Sequence, residues 1–179
     1  MKKLILLAGL PGVGKSTISK KISQKTGAKI LDIDDFKRVD VDPSLVTSQI
    51  DPPDVRWKYY QKALEHVFQL FETSDIANII VDEVFHLKEL RDKIDSLCFD
   101  KGIDVLWIEV TCPYELIERR LRAQTREGHI LSTDEALNMN VLFEKIFEKF
   151  SIDCNNHIIL ENVGDVEMSV ENIVRRIGC

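Results

Sequence analysis

The chain has 179 residues, 44% hydrophobic and 30% charged, with a formal net charge of −6. That length suits one domain over residues 1–179 and falls short of two ordinary cores. Interspersed acids and bases disfavour a broad nucleic-acid-binding surface, and no run reaches the ~18–20 apolar residues that cross a bilayer.

The first seventeen residues, MKKLILLAGLPGVGKST, allow two readings. Lys2 and Lys3 followed by Leu4–Ala8 resemble the start of a secretory signal. The same residues also suit a buried strand entering a phosphate-binding loop. A signal needs a small-residue cleavage site after the apolar run. Here the run meets Pro11-Gly12-Val13-Gly14-Lys15 instead. The strand reading is therefore taken, with Lys2 and Lys3 as its solvated start.

Further apolar runs follow at Lys29–Leu31, Asn78–Val81, Asp104–Val110 and His157–Leu160. Helical spacing separates them. Lys15–Thr26 ends at Gly27, a left-handed stop. Val55–Phe71 puts Tyr60, Leu64, Val67 and Phe71 on one face. Leu87–Phe99 precedes Gly102. Pro113 fits a first helical turn ahead of Leu116, Ile117 and Leu121. Ser132 and Glu135 have capping-box spacing, and the pattern behind them runs towards Phe150. Val166, Val170, Ile173, Val174 and Ile177 form a last stripe. The alternation predicts an α/β fold with a parallel sheet and helices on both faces. Residues 32–54, rich in Asp and Pro, read as a loop or part of a substrate site.

Gly9-Leu10-Pro11-Gly12-Val13-Gly14-Lys15-Ser16 matches G-x-x-x-x-G-K-[ST] between a strand and a helix, which is the context the pattern requires. Glycines let N–H groups turn inward on an anion, and the helix N-terminus adds positive potential. Gly9, Gly12, Val13, Gly14, Lys15, Ser16 and Thr17 are the candidate nucleotide contacts. Lys15 suits the β- and γ-phosphates, and Ser16 suits Mg²⁺.

Asp82 and Glu83 end the third apolar run. Asp82 is the second candidate for the metal, and Glu83 could polarise a water or contact substrate. Asp32, Asp34 and Asp35 follow the second run at the sheet edge where such folds bind ligands. A hydroxyl being phosphorylated needs a proton acceptor, and Asp34 is the choice among these neighbours. Arg119, Arg120, Arg122 and Arg126 form a basic segment. Arg119, Arg122 and Arg126 share a helical face, and Arg122 and Arg126 are preferred for charge stabilisation on a transferring phosphate. Gly128 would let such a segment close as a lid. His66, His86 and Trp57 read as structural, and Arg56 and Arg91 as solvated surface. The four cysteines lack zinc or C-x-x-C spacing, so reduced thiols in a cytoplasmic protein are expected.

"GLPGVGKST", "LDIDDFK", "IIVDEVF" and "VTCPYELIERRLRA" resemble the small P-loop kinases. The nearest groups are the chloramphenicol phosphotransferase-like, zeta-toxin-like and polynucleotide-kinase-like enzymes. The resemblance implies a three-layer α/β/α fold with a five-stranded parallel sheet and a short Arg-bearing lid. It also implies ATP or GTP, Mg²⁺ and transfer of a γ-phosphoryl group to a hydroxyl. Lys15 and Ser16 then hold phosphate and metal. Asp34 stands at the catalytic carboxylate and Arg122 and Arg126 near the lid arginines. Two of these groups carry Arg three residues after that carboxylate, where this chain has Lys37. Gln124 likewise stands where a lid Arg is expected. The expected partners are a nucleotide and a small hydroxyl-bearing molecule. Two alternatives remain: a 5′-hydroxyl polynucleotide kinase, and a nucleotide-binding regulator or slow NTPase.

Overall fold

A computed structural model describes residues 2–40, 50–123, 132–150 and 156–178. Five strands form one parallel sheet: β1 (Lys3–Ala8), β2 (Lys29–Asp32), β3 (Asn78–Glu83), β4 (Asp104–Thr111) and β5 (His157–Glu161). Their order is β2-β3-β1-β4-β5. The helices are α1 (Lys15–Thr26), α2 (Ile33–Asp40), α3 (Pro53–Thr73), α4 (Lys88–Asp100), α5 (Tyr114–Ala123), α6 (Thr133–Ile146) and α7 (Glu167–Gly178). Among the described residues no helix is long and apolar enough to cross a membrane.

Central β1 is buried along its whole length, because both faces of a parallel sheet are covered. Alternation along the strands then divides the core. Leu4, Leu6, Ile79 and Val81 face α3 and α4, with Tyr60, Phe71, Phe85 and Trp107. Ile5, Leu7, Ile80 and Ile108 face the opposite layer with α1, α5 and α7. The expected three-layer architecture is present.

Two local expectations are corrected. The loop expected from residue 32 onwards begins with a helix. Asp32 ends β2, and its Oδ1 accepts the Asp34 N–H at 2.9 Å, so it caps α2. Val41–Gln49, the rest of the variable segment, lies outside the described residues apart from its flanks. Lys3 is buried rather than solvated. Its ammonium donates to the Arg176 and Ile177 carbonyls at 3.1 and 3.2 Å. Those carbonyls are among the last of α7, where a cation meets the negative helix end. The capping box forms as read: Glu135 N donates to Ser132 Oγ and Ser132 N to Glu135 Oε2. The helix behind it stops at Ile146, short of Phe150.

Candidate nucleotide and acceptor site

The strand register gathers the acidic residues at one edge. Asp82 lies beside Leu7 of β1 and Asp32 of β2, while Glu83 lies beside Ala8. Gly9 follows immediately, so the phosphate loop leaves the sheet between β3 and β4. Three glycines shape the loop, at φ 150°, 83° and 98° for Gly9, Gly12 and Gly14. A Cβ on Gly9 would stand 2.4 Å from the Val110 carbonyl oxygen, and one on Gly14 would stand 2.3 Å from Asn162 Nδ2. Side chains are excluded there by both backbone conformation and space.

Lys15 bends back over the loop and donates to the Gly9 and Leu10 carbonyls at 2.8 and 3.1 Å. Burial lowers its pKa, and Asp82 and Glu83 work against that shift. Asp82 accepts from Ser19 Oγ at 3.1 Å. Burial raises the Asp82 pKa, while Lys15 and hydrogen bonds from Ser19 and Ser16 oppose it. A lysine and a carboxylate both pushed towards neutrality fit a site that receives phosphate on one side and a cation on the other. Ser16 and Thr17 are exposed at the opening of α1.

Three elements brace the loop from behind. Asn162, after β5, donates from Nδ2 to the Val13 carbonyl at 2.7 Å. Arg120 of α5 reaches the same carbonyl at 3.5 Å and the Asn162 carbonyl at 3.1 Å. Asn140 of α6 donates to the Pro11 carbonyl at 2.8 Å. Neither Asn140 nor Asn162 belongs to a motif, and only the fold brings them to the phosphate loop.

The described arginines of the basic segment take different places. Arg120, rather than Arg122, meets the phosphate loop. Arg122 is exposed on α5, where Glu118 one turn earlier binds its guanidinium at 2.9 Å. Asp134 lies 3.9 Å from it. Ile117 and Leu121 turn inward, and Arg120 goes with them. Arg126, Gln124 and Gly128 lie outside the described residues.

A second charged group lies on the α2–α3 side. Asp34 Oδ1 is 3.1 Å from Lys37 Nζ, which is 2.7 Å from Glu83 Oε2. Glu83 Oε1 is 3.2 Å from Arg56 Nη1. Burial alone would raise the Glu83 pKa, but Lys37 and Arg56 hold it down to about 2. Arg56 is thus buried, not solvated, and its guanidinium also lies near the Tyr59 and Phe143 rings. Arg91 is buried too. It donates to the Phe85, Glu148 and Lys149 carbonyls and covers the Phe150 ring at 4.2 Å. It holds the β3–α4 corner, where Phe85 has a φ of 48°, against residues 148–150. His86 at that corner is buried against Phe143, and burial and nearby Arg56 lower its pKa to about 4.

A family profile described as an AAA domain matches residues 4–144. The chain belongs to this family. It is also 30% identical over 107 residues to a shikimate kinase of Bacillus licheniformis, a match covering 59% of each chain. Among solved structures, a sugar kinase from Janibacter sp. HTCC2649 superposes with a TM-score of 0.73 at 19% identity, covering 98% of this chain and 94% of that one. A gluconokinase from Sinorhizobium meliloti 1021 gives 0.70 at 13% identity, covering 98% and 91%. An APS kinase of Mycobacterium tuberculosis, in complex with AMPPNP and APS, gives 0.65 at 20% identity, covering 99% and 98%. This chain has the fold of the small P-loop kinases, with its phosphate loop, Asp82 and Asp34 at one sheet edge.

Proposed function

We propose that the protein is a phosphotransferase that moves the γ-phosphoryl group of ATP, or of GTP, to a hydroxyl of a small molecule. The observation that carries this reading is the convergence at the sheet edge. A complete phosphate loop follows β1, with Lys15 and Asp82 sharing its floor, and Asp34 follows β2, which pairs with the Asp82 strand β3. The named relatives, a shikimate kinase, a sugar kinase and a gluconokinase, support a small acceptor.

In this reading the loop N–H groups and Lys15 hold the β- and γ-phosphates. The acceptor oxygen attacks the γ-phosphorus in line, and its bond to the β–γ bridging oxygen breaks. The acceptor proton passes to Asp34, and the nucleoside diphosphate leaves. Ser16 and Asp82 are hard oxygen donors, and the buried Asp82 carboxylate gains from a neighbouring cation, so the pair fits Mg²⁺. Mg²⁺, when bound there, would offset charge on the phosphates. Arg122 and Arg126 are proposed to close over the phosphates, Arg122 exchanging Glu118 for phosphate oxygens.

The test is nucleotide consumption against a panel that includes shikimate, gluconate, free sugars, nucleosides, aminoglycosides, chloramphenicol and a 5′-hydroxyl oligonucleotide. Lys15→Ala serves as the blank. Turnover that depends on a small acceptor supports the reading. Turnover with the oligonucleotide alone transfers the assignment to a polynucleotide kinase. Tight nucleotide binding with no acceptor-dependent turnover favours a regulator.

A further inference from the structure

Asp82 and Glu83 are consecutive, and alternation sends them to opposite faces of the sheet. Asp82 meets α1 and the phosphate loop. Glu83 meets α2 and α3 through Lys37 and Arg56. The ion pairs on that side form a chain of four residues, Asp34–Lys37–Glu83–Arg56, with spacings of 3.1, 2.7 and 3.2 Å. Side-chain exposure falls along it, from 34% at Asp34 through 20% at Lys37 to 9% and 4% at Glu83 and Arg56. The chain therefore runs from the reacting edge into the core.

A lysine is a flexible point charge, and a partly exposed Asp–Lys pair on one helix turn is weakly fixed by itself. Here the ammonium is anchored from the far side by a buried carboxylate. That carboxylate is held at its other oxygen by an arginine with almost no exposure. The Lys37 ammonium is also 5.1 Å from the Tyr59 ring centre, and Tyr59 donates to Asp51 at 3.1 Å. We propose that Glu83 is a positioning residue: through Lys37 it fixes the carboxylate of Asp34 at the reacting edge. It does not touch the phosphates. The proposal rests on the reading of Asp34 as proton acceptor.

Hydrolysis of MgATP, with water as the hydroxyl acceptor, tests it without a known substrate. Glu83→Asp keeps the charge and withdraws the carboxylate by one methylene, so it cannot reach Lys37 and Arg56 together. The expected result is at least a fivefold fall in kcat with KM for MgATP within twofold. In a Lys37→Met background the same substitution is expected to change kcat by less than twofold, because the link it acts through is gone. The proposal is overturned if Glu83→Asp keeps wild-type kcat, changes only KM, or costs as much without Lys37 as with it. Asp34→Asn runs in the same assay. If it hydrolyses MgATP at the wild-type rate, the reading of Asp34 itself falls. If it is slow and Glu83→Asp is not, only the positioning role falls. Should Glu83→Asp not fold, Arg56→Lys keeps the charge but loses the guanidinium Nη1 that meets Glu83 Oε1. It is then expected to lower kcat at least twofold with KM unchanged, and an unchanged kcat overturns the proposal.

Discussion

Asn162→Ala isolates how the phosphate loop is held. Asn162 is buried, and its Nδ2 gives the Val13 carbonyl its short hydrogen bond, at 2.7 Å. The other donor to that carbonyl among the described residues, Arg120 Nη1, stands at 3.5 Å, the edge of hydrogen-bonding range. The substitution also removes Oδ1, which accepts from Arg120 at 3.3 Å. Leaving a buried carbonyl so poorly served costs about 1–3 kcal/mol. For a chain of this size that lowers Tm by roughly 2–4 °C per kcal/mol, or about 4–8 °C at the middle of the range. The loop is expected to spend less time with its N–H groups aimed inward, so ATP affinity falls by about 3–10-fold. Thermal melts and isothermal titration of ATP read the two effects. Asn162→Asp keeps the acceptor for Arg120 but sets a charged oxygen against the Val13 carbonyl, so it is expected to cost at least as much as Asn162→Ala. Unchanged Tm and unchanged ATP affinity in Asn162→Ala would refute this account of the loop.

Gly14→Ala places a Cβ against Asn162 in a backbone conformation that L-residues avoid, so it is expected to destabilise the fold by more than ~1 kcal/mol and to abolish ATP binding in the same titration. Ser132→Ala removes the capping box of α6, for an expected loss of about 1 kcal/mol in urea unfolding. His86 titrates near 6.5 in the unfolded chain and at about 4 in the fold. Between those values the unfolded state binds more protons, so stability is full above pH 6.5 and declines as pH falls towards 4. The slope is at most about 1.4 kcal/mol per pH unit. Urea midpoints at pH 7 and pH 5 measure it, and His86→Phe is expected to flatten that slope.

The strands were legible because parallel strands buried on both faces leave near-continuous apolar runs, as in Leu4–Ala8 and, broken by Glu109, Val105–Val110. The phosphate loop was legible because its glycines and Lys15 act through local backbone geometry. What escaped depends on partners distant in sequence. Buried Arg56 is met by Glu83, 27 residues away, and buried Lys3 by the last turn of α7. Helical spacing placed Arg119 and Arg122 on one face, but spacing does not say which face meets the sheet. Ile117 and Leu121 settle that, and they carry Arg120 inward. Helix α2 was hidden by its acidic start, since Asp32 caps a helix with the same carboxylate that suits a loop.

The central claim is that Lys15 serves the phosphoryl donor and Asp34 the transfer itself. The most direct measurement compares ATP affinity and phosphoryl-transfer rate in Lys15→Ala and Asp34→Asn, with mass spectrometry reporting the phosphorylated acceptor. The account predicts that Lys15→Ala makes no product. It predicts that Asp34→Asn binds ATP within about threefold of wild type while transfer falls at least ~10²-fold, the scale of a lost general base. Wild-type transfer by Asp34→Asn, or product formation by Lys15→Ala, would contradict it.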